Sequence, residues 1–409
     1  MENNEISIPV ERAYLEEVLR RAWGDKSLQI GDWKMSPLSG GLEFGSAIYR
    51  LEGMAESAGK PQAWSLILKA IQPDPQYSDP QGYRYWKREA EAYRSGLLQE
   101  LPGPVTAPFC YAVCQRPDGA VWMWLEDIRD DLGSPWTVEH YGLVARWLGQ
   151  FNGAYLAGQP LPGDAWVTHD WLRKYLEHAA PMLDFIRENP AHPVVQKMFP
   201  GITLALTLAM WEEHTRMQKV LDGLPQTVCH QDAFGRNLFI RGAQVVAIDW
   251  GYAGIAPVGA ELAPLIGVAF GLAGVPSSQA HNLDRVCFEG YLQGLSEAGW
   301  TPDPRQVRMG YAFTVFLRYV LGATIGEMLP GILDEKTRLH WAEGIGTSSD
   351  KVGESDAGIV NYYQSIAMEA LKLMGLGCMG RVLGRAVRYS ISLGRKRRQA
   401  GQKKPGIST

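Results

Sequence analysis

The segment from Val228 to Trp250, VCHQDAFGRNLFIRGAQVVAIDW, places acid, base and metal-binding groups among strand-forming residues. These groups are His230, Asp232, Asn237 and Asp249. Asn and Asp oxygens are hard ligands that suit Mg²⁺, and a separate carboxylate can orient a hydroxyl group and take its proton. One carboxylate beside an Asn/Asp pair is therefore suited to phosphoryl transfer from a magnesium nucleotide.

Two short strands, NLFI and QVVAID, are predicted to bring Asn237 close to Asp249. A three-residue turn over residues 242–244 would pair Arg241 with Val245 and Asn237 with Asp249. The same register would share one apolar face among Leu238, Ile240, Val246 and Ile248. A two-residue turn would shift the pairing by one residue, and either turn keeps Asn237 near Asp249.

The pattern H-x-D-x-x-x-x-N followed by I-D-W closely resembles that of the aminoglycoside phosphotransferase and choline kinase family. This resemblance implies that Asp232 is the catalytic base, that Asn237 and Asp249 are Mg²⁺ ligands, and that His230 supports the loop. It also implies an α+β, protein-kinase-like two-lobed fold with a small β-rich N-lobe and a larger, mostly helical C-lobe. The resemblance covers most of the chain, roughly from Ile30 to the helices around Tyr319.

Such a fold needs a lysine for the nucleotide phosphates and a helical glutamate that holds the lysine. Lys69 ends the apolar run WSLIL, where a strand would direct its ammonium group into a cleft. Glu89 lies in KREAEAY, within a predicted helix over YRYWKREAEAYRSGLLQEL. Glu91 is two residues further on and faces another side of that helix. The Arg-Glu-Ala pattern at residues 88–90 favours Glu89 by resemblance to the family, which implies a Lys69–Glu89 pair.

The remaining nucleotide contacts are expected from a glycine-containing turn and from the segment between the lobes. Gly41, Gly45 and Ser46 lie in PLSGGLEFGSAIYRLEG, a turn between strands that would cover the phosphates. The segment WMWLEDI resembles the family's strand into the hinge, so backbone groups of Leu125, Glu126 and Asp127 would meet adenine. The expected donor is ATP, with GTP as an alternative, and the expected metal is Mg²⁺.

The expected function is ATP-dependent transfer of the γ-phosphoryl group to a hydroxyl of a small molecule. The chain departs from the family pattern at Gln231, where many relatives have glycine, at Gly251, where an acid is common, and at Glu261, where the usual sequence is Asp-Leu-Ala. None of these departures removes a group needed for transfer. They indicate a branch distant from the antibiotic-resistance enzymes and leave the acceptor open.

Three segments are expected along the chain. Residues 1–126 form a nucleotide-binding N-lobe, residues 127–375 form the helical C-lobe with the catalytic loop and acceptor site, and residues 376–409 form a basic C-terminal segment. A short hinge is expected over residues 126–131. The last segment holds nine Lys or Arg residues and no acid, and its end, GRKRRQAGQKKPGIST, is predicted to be disordered.

Composition narrows the cellular context. The formal charge of -4 gives no reason to expect a nucleic acid partner. Five cysteines without a C-x-x-C argue against a disulfide framework and a zinc knuckle, and favour a cytoplasmic protein. The start, MENNEISIPVER, is not typical of a signal peptide. The apolar run LAPLIGVAFGLAGVP is too short to cross a bilayer, so no transmembrane segment is expected, and the oligomeric state is left open.

Two other functions use part of the same residues. His230 and Asp232 could form an iron site with His281, as in non-haem oxygenases. However, His281 lies in a helical pattern, and Asn237 and Asp249 would then have no role. A nucleotide-binding pseudokinase is the second alternative. Protein kinase activity is disfavoured because the sequence has no recognisable D-F-G or A-P-E segment.

Overall fold

A computed structural model describes residues 9–38, 46–131, 135–270, 275–344 and 357–402. The strands are β1 (Gln29–Pro37), β2 (Ser46–Ser57), β3 (Lys60–Ile71), β4 (Val105–Thr106), β5 (Cys110–Gln115), β6 (Val121–Glu126), β7 (Gln226–Cys229), β8 (Leu238–Arg241), β9 (Gln244–Ala247) and β10 (Gly254–Pro257).

The α-helices are α1 (Arg12–Trp23), α2 (Arg88–Arg94), α3 (Val138–Leu156), α4 (Trp171–Leu176), α5 (Ala179–Glu188), α6 (Pro193–Met198), α7 (Thr203–Trp211), α8 (His214–Asp222), α9 (Leu262–Gly267), α10 (Ala280–Glu297), α11 (Pro304–Val315), α12 (Leu329–Leu333), α13 (Glu335–Gly344), α14 (Ala357–Leu373) and α15 (Leu376–Gln402). A π-helix, Phe316–Met328, joins α11 to α12.

The chain divides into two compact units. Unit 1 comprises Met1–Gly133, Pro162–Thr168 and Arg236–Ala253, and unit 2 comprises Ser134–Leu161, His169–Gly235 and Gly254–Thr409. Unit 1 is rich in β-structure and unit 2 is mostly helical, which confirms the predicted α+β class. The hairpin of β8 and β9 groups with unit 1 because β4 pairs with β9 in parallel.

Unit 1 is built on a five-stranded antiparallel sheet in the order β1-β2-β3-β6-β5. Alternation along the central strand β3 sends Leu66 and Leu68 into the core, which also contains Trp124 and, from α1, Leu15. Lys69, on the next position of β3, pairs with Ile48 in β2 and Met123 in β6. The lysine is therefore held at the centre of the sheet.

The turn between β8 and β9 differs from the preferred prediction. Arg241 pairs with Gln244, so the turn has two residues, and the predicted three-residue turn is wrong. Gly242 adopts φ 58°, which a two-residue turn of type II′ requires at its first position. The face that contains Leu238 and Ile240 is completed by Val245 and Ala247 rather than by Val246 and Ile248.

The helix predicted before β4 is shorter than its sequence pattern indicates. Only Arg88–Arg94 is α-helical, and a separate 3-10 turn covers Leu97–Gln99. Gly96 separates them with φ 83°, a conformation that ends a helix readily only when the residue is glycine.

Unit 2 is organised around the close crossing of α3 and α10, where glycines replace side chains. A Cβ atom at Gly294 would lie 1.9 Å from the Arg146 carbonyl oxygen, and one at Gly149 would lie 2.3 Å from the Tyr291 carbonyl oxygen. Tyr291 donates to the buried Asn152 side chain at 2.7 Å, and Asn152 donates to the Val228 carbonyl in β7. This crossing therefore fixes the strand that leads into His230.

Two regions bear on the expectations for the chain termini and membranes. The segment expected to be disordered after Leu393 is helical as far as Gln402. The stretch Pro304–Leu333 is long and apolar enough to cross a membrane by length and composition, but 67% of its most apolar window is buried in the protein, as in a core helix. The run LAPLIGVAFGLAGVP contains the buried helix α9.

Candidate functional site

Lys69 lies between two carboxylates in unit 1. Its Nζ donates to Glu89 Oε2 at 2.5 Å and to Asp249 Oδ1 at 2.8 Å. Lys69 and Glu89 are buried, whereas the Asp249 side chain is 46% exposed. Three residues far apart in sequence thus converge, and one carboxylate of the set is accessible to a ligand.

The charges of this triad depend on one another. Burial alone lowers the pKa of Lys69, but the nearby Asp249 and Glu89 carboxylates outweigh it and raise this pKa above its ordinary value. Burial raises the pKa of Glu89, against the lowering effect of Lys69. Lys69 therefore remains a cation, which is the state that can bind phosphate oxygens.

Glu89 lies on the predicted helix, in the first turn of α2, and Glu91 has another partner. Glu91 accepts from Arg94 at 3.0 Å on a partly exposed surface. This outcome agrees with the expectation that the two glutamates face different sides of the helix.

Arg88, which the sequence did not single out, ties the segment after Asp249 to α2. Its buried guanidinium donates to the carbonyl oxygen of Gly251 at 3.0 Å. It also donates to the carbonyl oxygens of Pro80, Gly82, Tyr83 and Trp166. Burial lowers the pKa of Arg88 to about 10. A fork of several donors is needed here, because one ammonium group could not reach all these carbonyls.

Asp249 and Asn237 are placed by the hairpin. The Ile248 N–H donates to the Asn237 carbonyl at 2.9 Å, so Asn237 lies opposite the residue before Asp249. Asp249 has φ 63° and ψ 63°, a left-handed backbone that is uncommon outside glycine and that Asp and Asn tolerate best. The accessible Asp249 carboxylate and the Asn237 amide are oxygen donors of the kind Mg²⁺ takes together with substrate phosphates.

Asp232 belongs to a loop in unit 2 that is fixed mainly through its backbone. Glu261 accepts from the His230 N–H at 2.7 Å and from the Gln231 N–H at 3.0 Å. The Asp232 N–H donates to His230 Nδ1 at 3.1 Å. Gln231 has φ 64°, a left-handed backbone that glycine adopts most readily.

Glu261 is the departure from the family pattern with the clearest structural role. It is fully buried, and burial raises its pKa to about 7, against the lowering effect of its two backbone hydrogen bonds. Glu261 therefore fixes the loop backbone through these two hydrogen bonds, although burial makes its ionisation unfavourable.

Arg318 holds the Asp232 side chain. Its Nη2 donates to Asp232 Oδ1 at 2.9 Å, and its Nη1 donates to the Gln231 carbonyl. Arg318 lies in the π-helix, a conformation that is rare and frequent at functional sites, and its guanidinium stacks over Trp171 at 4.6 Å. A signal was available in the sequence, since Arg318 is the one charged residue in the apolar run GYAFTVFLRYVLGATIG.

The predicted hinge residues have structural partners of their own. Leu125 is buried in β6, and the Glu126 N–H donates to the Phe109 carbonyl at 2.9 Å. The Glu126 carboxylate pairs with Arg241 at 2.7 Å, and Asp127 accepts two hydrogen bonds from Arg50. A nucleotide contact of these backbones stays a prediction.

The structure describes only the last residue of the turn that is predicted to cover the phosphates. Ser46 is buried at the start of β2, where it pairs with Ile71. Gly41 and Gly45 lie outside the described residues.

The iron-site alternative finds no geometric basis. Among the described residues no group of three or more His, Cys, Asp or Glu side chains could hold a metal ion. His281 lies on α10 and packs edge-on against Tyr362 at 5.3 Å. His230 Nδ1 is used by the Asp232 N–H.

Sequence comparison assigns the family. The model of the phosphotransferase enzyme family (APH) matches residues 80–307, which is more than half of the chain and includes Glu89, Asp232, Asn237 and Asp249. The chain therefore belongs to this family and is a small-molecule phosphotransferase. This confirms the resemblance drawn from the motifs. No curated protein matches the sequence.

Several solved structures are similar to this chain at low identity. An amicoumacin kinase, hAmiN, in complex with AMP-PNP, Ca²⁺ and Ami shares 13% identity, with 90% of this chain and 96% of that chain covered and a TM-score of 0.48. The GDP complex of aminoglycoside 2'-phosphotransferase-IIIa shares 13% over 87% and 99%, with a TM-score of 0.46. An aminoglycoside phosphotransferase from Alicyclobacillus acidocaldarius shares 12% over 97% and 99%, with a TM-score of 0.45.

Proposed function

We propose that this protein is an ATP-dependent kinase that transfers the γ-phosphoryl group to a hydroxyl of a small molecule. The observation that carries the proposal is the Lys69 ammonium held at 2.5 Å from Glu89 and 2.8 Å from Asp249. A buried lysine fixed in this way presents a permanent cation to phosphate oxygens. In protein kinases a lysine–glutamate pair of this kind must be in place for phosphoryl transfer.

Asp249 and Asn237 are the proposed Mg²⁺ ligands. Their oxygens are hard donors, and the half-exposed Asp249 carboxylate leaves room for phosphate oxygens to complete the coordination. The bound metal would neutralise charge on the phosphate oxygens. Lys69 would then bridge the nucleotide phosphates to the same carboxylate, so nucleotide and metal affinity should depend on each other.

Asp232 is the proposed general base. Its carboxylate would accept the proton of the acceptor hydroxyl as the new oxygen–phosphorus bond forms and the bond from the γ-phosphorus to the leaving diphosphate breaks. Only 21% of the Asp232 side chain is exposed, and Arg318 fixes one oxygen. His230 and Glu261 hold the loop backbone, so they position the base without touching the reacting atoms.

The acceptor is best identified by a screen of hydroxyl compounds for nucleotide consumption. Purified protein is supplied with ATP or GTP and Mg²⁺, and release of the diphosphate is followed with each compound. A phosphorylated product confirmed by mass spectrometry is the expected result. ATP binding without turnover on any compound would favour a pseudokinase, and labelling of a protein extract would contradict a small-molecule acceptor.

A matched control distinguishes transfer at this site from contamination. Glu91→Gln changes a carboxylate on α2 that pairs with Arg94 at the surface, whereas Glu89→Gln removes a buried partner of Lys69. Turnover should fall in the second variant and persist in the first. Equal turnover in both variants would argue against the proposed site.

A further inference from the structure

The last helix of the chain exposes an apolar stripe. The exposed large apolar residues of α15 are Leu376 (77%), Leu383 (43%), Val387 (57%) and Ile391 (54%). Their intervals of seven, four and four residues place them along one side of an α-helix. Isolated exposed apolar residues are ordinary, but a continuous row of them marks an interaction surface.

A different face of α15 attaches the helix to unit 2. Its buried residues are Cys378, Val382, Ala386 and Leu393. Arg381 and Arg385 both pair with Glu213, at 3.4 Å and 2.5 Å. The helix is thus anchored by one face while the apolar stripe stays exposed.

Cations flank the stripe. Arg388, Arg395 and Arg398 are exposed. At about 100° per residue, Arg398 lies about 20° from Ile391, within the stripe, and Arg395 and Arg388 lie about 40° and about 60° from Ile391, along one edge of the stripe. None of the three forms a salt bridge with a carboxylate in the part of the chain that the structure describes. The whole segment after Gly375 contains nine Lys or Arg residues and no acid.

The combination of arginines and apolar residues on α15 indicates which kind of partner this surface binds. A second copy of this chain, related by two-fold symmetry, would bring like charges together along the stripe. A nucleic acid would bind the arginines through its phosphates but would leave the apolar stripe exposed to water. A lipid surface with anionic headgroups uses both features, because it accepts apolar side chains at the acyl boundary and attracts arginine.

We propose that α15 docks the protein on an anionic lipid surface. Leu383, Val387 and Ile391 enter the boundary between headgroups and acyl chains. Arg388, Arg395 and Arg398 bind the lipid phosphates. The inference rests on α15 alone and is independent of the proposed catalytic roles.

Flotation of the full chain with lipid vesicles tests the proposal. We expect strong binding to phosphatidylcholine vesicles that contain phosphatidylglycerol, and weak binding to phosphatidylcholine alone. Arg388→Gln, Arg395→Gln and Arg398→Gln should each lower the partition coefficient about fivefold. The triple variant Leu383→Ser/Val387→Ser/Ile391→Ser should lower it by at least about 10-fold and remove the salt-resistant fraction of binding.

The control variant Met54→Ser/Leu339→Ser removes apolar side chains that are equally exposed elsewhere, and it should bind like the parent. Thermal unfolding should be unchanged in all surface variants, which shows that the fold is kept. The proposal is overturned if the stripe variant binds anionic vesicles like the parent, or if the full chain binds duplex DNA and does not bind anionic vesicles. It is equally overturned if the stripe supports a dimer in ultracentrifugation and no vesicle binding.

Discussion

The Arg318 guanidinium binds the Asp232 carboxylate at 2.9 Å and the neighbouring Gln231 carbonyl at the same time. Asp232 is also held through its N–H, which donates to His230 Nδ1. The carboxylate is therefore fixed by a side chain from the π-helix and by its own loop. A base that must meet a substrate hydroxyl gains from such fixation, because small displacements of reacting groups are costly.

Arg318→Lys should lower the rate of transfer without weakening nucleotide binding. Lysine keeps the charge but cannot bind a carboxylate and a carbonyl with one planar fork. We expect single-turnover transfer to fall by up to about 100-fold, with nucleotide affinity nearly unchanged. Rapid-quench measurements on the pre-bound nucleotide complex give the rate, and calorimetry gives the affinity.

Arg308→Lys is the matched control for this variant. Arg308 lies on α11 and binds both oxygens of Asp284 on α10, at 2.8 Å and 2.9 Å, and one oxygen of Glu369 on α14. This change should lower thermal stability and leave the transfer rate intact. A similar rate loss in both variants would mean that Arg318 acts only through stability.

The parts of the site that could be predicted from sequence are those with local signals. Asp232, Asn237 and Asp249 lie within one motif, and Lys69 and Glu89 follow from the order of a strand and a helix. The structure brings Lys69, Glu89 and Asp249 together within hydrogen-bond distance. Their catalytic roles stay predictions, which the variants below test.

The parts that could not be predicted depend on contacts that are distant in sequence or on one backbone angle. Arg318 is separated from Asp232 by 86 positions, and Arg88 from Gly251 by 163. The register of β8 and β9 depends on the left-handed Gly242, which shifts every pair by one residue. The dense positive charge after Leu393 is typical of a disordered end, whereas the structure continues α15 to Gln402.

Lys69→Met should destabilise the protein more than Glu89→Gln. Removing the lysine leaves two carboxylates near each other, one of them buried, whereas removing Glu89 leaves Lys69 paired with Asp249. Breaking a buried pair typically costs about 3–5 kcal/mol. Urea denaturation of both single variants and the double variant measures this difference.

The double variant Lys69→Met/Glu89→Gln is expected to be more stable than the sum of the single changes indicates, because neither partner is left charged and alone. Additive losses would show that the two residues do not interact in solution. Nucleotide affinity should fall in every variant that lacks Lys69.

Glu261 should make stability decrease as the pH rises from about 4.5 to about 7. Its pKa is about 7 in the folded protein and has an ordinary value of 4.5. Below that range both states hold the proton, and within it the unfolded state loses the proton first, which favours unfolding. The free energy of unfolding should fall by about 3 kcal/mol from this group and then level off.

Glu261→Gln isolates that contribution. In urea denaturation from acidic to neutral pH, the free energy of unfolding of the variant should lack the decrease that is attributed to Glu261. It should also transfer more slowly, because an amide can accept only one of the two N–H groups of His230 and Gln231 and turns a donor towards the other. An unchanged pH profile would contradict a raised pKa at Glu261.

Truncation after Leu393 should leave catalysis intact. The lost residues make surface contacts with backbone carbonyls, Lys396 with Arg187 at 2.7 Å and Arg397 with Pro190 at 3.2 Å. The first of these hydrogen bonds is exposed and the second is partly buried, and a hydrogen bond typically contributes only about 0.5–1.5 kcal/mol to stability. Turnover in dilute solution should match that of the full chain, and vesicle binding should weaken because Arg395 and Arg398 are removed. Loss of turnover would show that the end of α15 belongs to the catalytic fold.

Asp249 and Asp232 are expected to act in different steps, and their variants should separate them. Asp249→Ala removes the accessible carboxylate beside Lys69, so it should weaken Mg²⁺-dependent nucleotide binding and transfer together. Nucleotide affinity measured with and without Mg²⁺ should become nearly equal in this variant. Parent-like Mg²⁺ dependence would remove Asp249 from the metal site.

Asp232→Asn tests the base. The amide keeps the size of the side chain and leaves an oxygen for the bond from Arg318, but it cannot take a proton. Nucleotide affinity should stay nearly intact while kcat falls by roughly 10²-fold to 10⁴-fold, as is typical when a positioned general base is lost. Single-turnover transfer from pre-bound nucleotide measures this step directly. Full turnover by the variant would mean that the hydroxyl proton leaves by another route and that Asp232 only shapes the loop.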